Sequence, residues 1–199
     1  MTSDEVKELY WKYYLSLEAQ VCELERYIEF DLENNGNTYS VRLLELLQAI
    51  CSEVDVVGKI FASELDFSFV STKSTSILHW WFVVQSNNRG IQLDPVFFRK
   101  EPLFPWEDFF IIKCGSKYKN NPVVPNSRVP KWWNSYNNVK HRRTEIGDNR
   151  LLNYSQANLS NVINALSGLF ILEALLIEKV HGRVEGSKLF SSQRHDVFS

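Results

Sequence analysis

A chain of 199 residues, 44% hydrophobic and 14% aromatic, can bury one sizeable core and has the length of a single domain. Its 23% charged residues and its few glycines and prolines exclude an intrinsically disordered or collagen-like chain. The formal net charge at pH 7 is only −2, but the charges are unevenly distributed along the chain.

Acidic and basic residues are concentrated in different parts of the sequence. Residues 1–65 contain thirteen acidic and five basic residues, a net charge of −8, whereas residues 109–144 contain eight basic residues and no acidic one. A basic stretch of this kind favours contact with an anion such as phosphate or RNA. The alternative is that the two regions pack together or are solvated on separate faces.

The sequence predicts a soluble, cytoplasmic protein that needs no metal or cofactor and does not associate with a membrane. Its N-terminus is polar and acidic, which is not the pattern of a secretory signal. The most apolar stretch, residues 165–177, is shorter than the roughly 20 residues that span a bilayer, so we expect a buried core helix there. Cys22, Cys51 and Cys114 lack metal-ligand spacing and are expected to be reduced thiols.

The first 65 residues predict two long helices. The first begins at Ser3, ends at the Asn-Asn-Gly of residues 34–36, and has an apolar face with steps of three and four residues. That face consists of Val6, Tyr10, Tyr13, Leu17, Val21, Leu24 and Ile28. Ser40 predicts the cap of a second helix, whose apolar stripe runs from Val41 to Phe61. The short link between them favours an antiparallel helical hairpin.

Residues 66–129 are predicted to form an irregular, aromatic-rich insertion between helices. Within it, Ser74-Thr75-Ser76 favours a short helix from residue 77, although the β-branched and aromatic residues that follow also permit a strand. Residues 115–129 are rich in Asn and Lys and contain two prolines, so a surface loop is expected.

Two further helices are predicted after the insertion. Pro130 favours the start of a helix that ends near Arg143, because proline's missing N–H costs nothing in the first turn. Ser155 predicts the cap of a last long helix, which Gly182 closes and whose wide apolar stripe places it centrally. We therefore expect an all-α domain over residues 1–183, followed by a loosely packed tail over residues 184–199.

The candidate site lies on the helix that begins at Pro130. Residues four apart share a helix face, so Trp133, Asn137 and His141 form one column, while Trp132 and Tyr136 lead towards Arg143 in the next. His141 is the candidate general acid or base and Asn137 the residue that orients it or binds a substrate oxygen. The residues expected to bind phosphate or stack on RNA are Lys140, Arg142, Arg143, Tyr136, Trp132 and Trp133.

Each of these assignments has a purely structural alternative. Adjacent tryptophans are most often core residues, and a run of Lys, His and Arg is ordinary at the C-terminus of a helix, because cations suit that end of the dipole. Glu53, Asp55 and Lys59 on the second helix are second-rank site candidates, since they flank its apolar stripe and can face the basic stretch. The alternative for them is a solvated helix edge.

At these residues the chain resembles a group of uncharacterised bacterial proteins related to the HEPN superfamily. The resemblance is carried by Phe104-Pro105-Trp106, Pro130, Trp132-Trp133, Tyr136-Asn137, Lys140-His141 and Arg143, and by the helix Asn158 to Leu166. It implies an up-and-down helical bundle, often dimeric, with the polar motif near a groove. HEPN proteins include metal-independent ribonucleases of defence and toxin–antitoxin systems as well as non-catalytic RNA or nucleotide binders. Asn137 and His141 match the polar and histidine positions of the nuclease motif, but Asn134, Ser135 and Tyr136 stand where that motif has its Arg.

The sequence thus leads to two functional hypotheses. The first is a HEPN-like helical protein, acting as a homodimer, that binds RNA or a nucleotide through a basic groove, with metal-independent RNA cleavage left open. The second is a non-enzymatic helical interaction or dimerisation module, such as an antitoxin or scaffold.

Overall fold

The computed structural model describes residues 1–107, 109–111, 129–147, 150–184 and 186–192. The described protein is mostly helical, with one small sheet. Its α-helices are α1 Ser3–Val6, α2 Lys12–Glu23, α3 Leu32–Asn35, α4 Val41–Leu65, α5 Ile77–Asn87, α6 Lys131–Arg142 and α7 Leu159–Lys179. Its strands are β1 Val96–Phe98, β2 Glu101–Leu103 and β3 Phe190–Ser192. Three short 3₁₀ turns cover Leu24–Arg26, Ile91–Leu93 and Asn153–Gln156.

The first predicted helix exists, but its boundaries and its register differ from the prediction. Thr2, not Ser3, is the N-cap and forms a capping box with Glu5. A π-helical turn, Lys7–Trp11, joins α1 to α2 and shifts the register of the buried face by one residue. Tyr14 is therefore wholly buried, whereas Tyr13, which the pattern had placed on the buried face, is 41% exposed. We call residues 3–26 the N-terminal helix.

The N-terminal helix ends at Arg26 rather than at residues 34–36. The carboxylate of Asp31 accepts hydrogen bonds from the N–H groups of Glu33 and Asn34, at 3.0 Å each, and caps the separate helix α3. The Asn-Asn-Gly signal therefore belongs to the end of a short second helix. The predicted single helix was wrong here because a local cap competes with its continuation.

The Ser40 cap and the antiparallel arrangement of the predicted hairpin are confirmed, but the link is residues 27–40, which include α3, and is longer than predicted. Ser40 Oγ accepts from the N–H of Leu43 at 3.1 Å and starts α4. The N-terminal amine contacts Glu64 near the end of α4 at 3.1 Å, and Gln20 contacts Arg42 near its start at 2.7 Å. These contacts at opposite ends show that the N-terminal helix runs antiparallel to α4.

Helix α7 is the central element, as predicted. Every residue from 165 to 177 is buried. It is long and apolar enough to cross a membrane, but 83% of its most apolar window is buried inside the protein, which is typical of a core helix. Its cap is Asn158, whose side chain accepts from the N–H of Asn161 at 3.0 Å. The predicted Ser155 cap was wrong because Ser155 lies in the preceding 3₁₀ turn.

The insertion contains the predicted helix α5 and also the strands β1 and β2, which the sequence did not predict; β3 lies in the tail. The three strands form an antiparallel sheet in the order β2-β1-β3, with Val96 paired to both Leu103 and Ser192. The tight turn between β1 and β2 is made by Arg99 and Lys100, both at positive φ, so it lacks the Gly or Asn that signals a hairpin. The all-α prediction therefore needs correction to a mostly helical fold with a small sheet.

The tail was expected to be loosely packed, but residues 187–192 are held in place. The carboxylate of Glu18, which is buried, accepts from the backbone N–H groups of Lys188 at 3.0 Å and Leu189 at 3.2 Å, and from Tyr14 Oη at 2.9 Å. The hydroxyl of Ser187 also bonds to it. Residues 193–199, and the predicted loop before Val129, lie outside the described residues.

Candidate functional site

Helix α6 carries the predicted site motif and is amphipathic. It begins directly after Pro130, as predicted, and its last turn is basic. Trp132, Trp133, Tyr136 and Val139 form its buried face, whereas its charged side chains are exposed. The aromatic residues of the motif therefore anchor the helix in the core. The charged residues of the motif remain accessible to solvent.

Trp132 is a core anchor. Only 3% of it is exposed, and its indole Nε1 donates to the carbonyl of Pro105 at 2.8 Å. It packs edge-on against Trp106 at 5.2 Å between ring centroids. A Cβ on Gly168 of α7 would lie 3.1 Å from the Trp132 ring, so this glycine permits the close approach of the indole to the central helix. These contacts tie the insertion and α6 to the core.

A cleft of about 440 Å³ lies between α4, the start of α5 and α6. We call it the α6 cleft. Its polar lining consists of Ser52, Asp55, Thr75, Ser76, Tyr136, Asn137 and Lys140. Trp133 and Val129 contribute to its apolar wall. Three segments that are far apart in sequence thus meet at one concave surface that offers amide, hydroxyl, cationic and carboxylate groups.

Asp55 is the acidic group of the α6 cleft, and its charge is compensated locally. One carboxylate oxygen accepts from the indole Nε1 of Trp80 at 3.0 Å, and the other forms an ion pair with Lys59, one turn further along α4. Trp80 is wholly buried and lies against Gly58, where a Cβ would be only 2.7 Å from its ring atoms. The second-rank candidates Asp55 and Lys59 therefore meet at the cleft edge, with Asp55 fixing the Trp80 indole.

Lys140 is the basic group of the α6 cleft. Its ammonium donates to the hydroxyl of Tyr136 at 3.1 Å and lies 5.2 Å from the centre of the Tyr136 ring. No carboxylate of the described residues forms an ion pair with it. Its positive charge also acts on the buried thiol of Cys51 on α4, although burial dominates and raises the pKa of that thiol well above its usual range. Lys140 thus carries an uncompensated charge at a concave surface.

The start of α5 adds a second source of positive potential. The N–H groups of the first turn, at Ile77 and Leu78, have no intrahelical acceptor, and the helix dipole is positive at this end. Ser76 N–H donates to Nδ1 of His79 at 3.0 Å, which places the His79 proton on Nε2. Burial lowers the pKa of His79, so the ring is neutral at physiological pH. His79 was not among the predicted site residues, although a serine three residues before it was an available signal.

The remaining basic residues of the motif lie outside the α6 cleft. His141, Arg142 and Arg143 are exposed at the end of α6. Arg142 donates to Asn138 at 2.8 Å, and Arg143 donates to the carbonyl of Val139 at 3.5 Å. Within the described residues His141 makes no hydrogen bond or ion pair. The predicted column of Trp133, Asn137 and His141 is thus divided, with Asn137 lining the cleft and His141 beyond it.

Glu53 faces a different part of the protein. It is half-buried on α4, and its charge acts on Glu173 of α7 and on Tyr10 of the π turn. Neither Glu173 nor Tyr10 was a predicted site residue, although an acid within the most apolar stretch was a visible signal. In the described part of the chain no group of three or more His, Cys, Asp or Glu side chains is arranged to hold a metal ion.

Comparison of the chain with protein-family models, with curated proteins and with solved structures finds no match. Assignment of a function therefore rests on the geometry and chemistry of the site.

Proposed function

We propose that this protein is a HEPN-like, cytoplasmic helical protein that binds RNA or a nucleotide in the α6 cleft. The shared chemistry of these ligands is a phosphate group joined to a sugar and a base. The mostly helical fold and a polar motif beside a concave surface are compatible with the resemblance noted in the sequence.

The observation that carries the proposal is the convergence of two positive groups on one cleft. Lys140 brings an ammonium without a carboxylate partner among the described residues, and α5 points its N-terminus at the same space. An ammonium and the N-terminus of a helix are both common phosphate-binding elements. Asp55, the acid of the cleft, is already neutralised by Lys59.

The other polar groups of the α6 cleft suit the sugar and the base. Asn137, which is half-buried, can donate and accept hydrogen bonds at a base edge. The hydroxyl group of Ser52 is available to phosphate oxygens or to a ribose 2′-hydroxyl, whereas that of Thr75 accepts from the N–H of Thr72 at 2.8 Å. Arg142 and Arg143, exposed on the next turn, extend the positive surface along a polymer that leaves the cleft.

The proposal assigns binding to this cleft, and it does not assign cleavage. His141 lies outside the cleft and has no partner within the described residues that would orient its ring. A general base must reach the proton that it removes. Incubation of mixed RNA with the wild-type protein and with His141→Ala tests this point: we expect equal background cleavage, and loss of a robust activity in the variant would restore a catalytic role for His141.

Equilibrium binding tests the proposal itself. Labelled single-stranded RNA and a labelled nucleotide are titrated with the wild type, with Lys140→Gln and with Lys12→Gln, an exposed lysine on the N-terminal helix. We expect Lys140→Gln to weaken binding by about 1.5–3 kcal/mol, the worth of a hydrogen bond to a charged group. Lys12→Gln should bind like the wild type. Binding of neither ligand by the wild type, or equal binding by all three proteins, would contradict the proposal.

A second candidate function, a non-enzymatic interaction or homodimerisation module, is favoured by another observation. The Trp132–Trp133 face is buried, as a scaffold role requires, and a cluster of exposed aliphatic side chains lies beyond the end of α6. Ile146, Leu151 and Leu152 are 73%, 53% and 50% exposed, and Ile146 is bridged to Leu152. Exposed apolar clusters of this kind are common at protein interfaces. Concentration-dependent sedimentation that Leu152→Ser abolishes, without any RNA binding, would favour this candidate over the first.

A further inference from the structure

Glu173 stands out because it is buried without a partner. It lies within the central helix α7, with no exposed surface. Neither of its carboxyl oxygens has a hydrogen-bond partner among the described residues. Buried polar groups are normally hydrogen-bonded, so a carboxyl group left alone in a core calls for an explanation.

Glu173 interacts electrostatically with two other titratable groups, each on an element packed against α7: the charge of Glu53 acts on Glu173, and that of Glu173 acts on Tyr10. Glu53 comes from α4 and Tyr10 from the π turn of the N-terminal helix. The side chains of Glu53 and Tyr10 are only partly buried, so both reach solvent. No cation among the described residues is positioned to neutralise Glu173, and the Glu53 charge opposes its ionisation. Burial raises the pKa of Glu173 well above its usual range, and the charge of Glu53 raises that pKa further.

The N-terminal helix is irregular at this place. Tyr10 and Trp11 belong to the π turn, and Trp11 packs against Phe170, one helical turn before Glu173, at 6.2 Å between ring centroids. The indole Nε1 of Trp11 is also buried without a partner among the described residues. Single π turns occur frequently at functional positions, because they interrupt the regular hydrogen-bond ladder. The junction between the N-terminal helix and α7 thus combines an irregular turn with two unsatisfied polar groups.

We propose that Glu173 and Glu53 form a proton-binding site that couples protonation to the packing of the N-terminal helix against α4 and α7. With the proton bound to Glu173, the carboxyl group is neutral and the three helices remain packed. When the O–H bond of Glu173 breaks, the proton passes to water and a negative charge is left in the core beside Glu53. That charge is relieved when the N-terminal helix separates at the π turn and water reaches the carboxylate. The proposal does not depend on ligand binding in the α6 cleft.

The sign of the pH dependence follows from the direction of the pKa shift. The pKa of Glu173 is higher in the folded protein than in the unfolded chain, so the folded protein holds the proton more tightly. The stabilisation is complete at pH values below the usual glutamate range. It is lost progressively as the pH rises through that range towards the raised pKa of the folded state.

Urea unfolding across a pH series from about pH 5 to about pH 9 tests the proposal. The proteins are the wild type, Glu173→Gln, and the matched control Glu178→Gln, which changes an exposed acid on the same helix. We expect the unfolding constant of the wild type to grow relative to that of Glu173→Gln by up to about tenfold per pH unit. Glu178→Gln should follow the wild type. Parallel profiles for the wild type and Glu173→Gln would overturn the proposal.

Two further measurements keep the proposal testable if Glu173→Gln does not fold. Glu53→Gln changes a half-buried residue and should flatten the pH profile in part, because it removes the charge that opposes ionisation of Glu173. Hydrogen exchange, corrected for the intrinsic effect of pH, should show the N-terminal helix losing protection at high pH before α7 does. Any of three results would contradict the proposal that a proton is the ligand. They are uniform loss of protection in all helices, a pH profile of Glu53→Gln equal to that of the wild type, and stabilisation of the wild type by Mg²⁺ or Mn²⁺.

Discussion

Asp55 is expected to stabilise the protein mainly through the indole of Trp80 and only slightly through Lys59. Trp80 has no exposed surface, and its Nε1 donates to Asp55 at 3.0 Å. Asp55→Ala leaves this buried donor without an acceptor, at a cost of about 1–3 kcal/mol. The side chains of Lys59 and Asp55 are 24% and 31% exposed, so their ion pair contributes at most about 1 kcal/mol. We therefore expect Asp55→Ala to lower the free energy of unfolding by about 1–4 kcal/mol.

Asp55→Asn separates the two contributions, because the amide oxygen still accepts from the indole while the charge is lost. We expect it to cost about 0.5–1 kcal/mol. Urea unfolding at neutral pH, followed by tryptophan fluorescence, measures both variants. Glu45→Ala, which removes an exposed acid of the same helix, should change stability by no more than about 0.5 kcal/mol. If Asp55→Asn were as destabilising as Asp55→Ala, the ion pair would be the main contribution and the reasoning would be wrong.

Two other substitutions test the packing around the site and the attachment of the tail. Gly58→Ala should destabilise the protein by about 1–3 kcal/mol in thermal unfolding, because the new methyl group would lie 2.7 Å from the Trp80 ring. Helix propensity alone predicts a gain in stability instead, and such a gain would contradict the close approach. Glu18→Ala should cost about 2–4 kcal/mol, because it removes the charged acceptor of the Tyr14 hydroxyl and of two tail N–H groups, and Ser187 Oγ remains as an acceptor only for Tyr14 and Leu189. In hydrogen exchange it should expose the amides of residues 187–192 while α7 stays protected, and an unchanged tail would refute the role of Glu18.

The helices could be predicted where a cap and an apolar stripe agree. Ser40 and the stripe that follows it predicted α4, and Pro130 predicted the start of α6. Both signals are local, since a cap satisfies N–H groups within its own turn and a stripe needs only helical periodicity. The central position of α7 followed in the same way from the width of its apolar surface.

Features that depend on tertiary structure were not predictable from these signals. The π turn replaced Tyr13 by Tyr14 on the buried face, and one extra residue per turn leaves no mark in composition. The hairpin at Arg99 and Lys100 has no turn signature, and its third strand comes from the tail. Helical spacing alone also cannot show which turn of α6 reaches a cleft.

The candidate site was predicted only in part, because it depends on how separate helices pack together. Spacing on one helix placed Tyr136 and Asn137 in neighbouring columns, and these two candidate residues line the α6 cleft together with the candidate Lys140. It also grouped His141 with Asn137, although the cleft ends before His141. The contribution of the α5 N-terminus required the packing of α5 beside α4, where the Trp80 indole and the missing side chain of Gly58 allow close approach. No pattern within one helix contains that information.

The salt dependence of RNA binding tests the central claim most directly. Fluorescence anisotropy of a labelled single-stranded RNA, titrated with the wild type and with Lys140→Gln over a range of salt concentrations, gives the slope of log K against log[salt]. We expect the wild-type affinity to fall as salt rises, and the slope for Lys140→Gln to be smaller in magnitude by about 0.7, the value for the loss of one phosphate contact. Identical slopes and affinities for the two proteins would contradict a phosphate site in the α6 cleft.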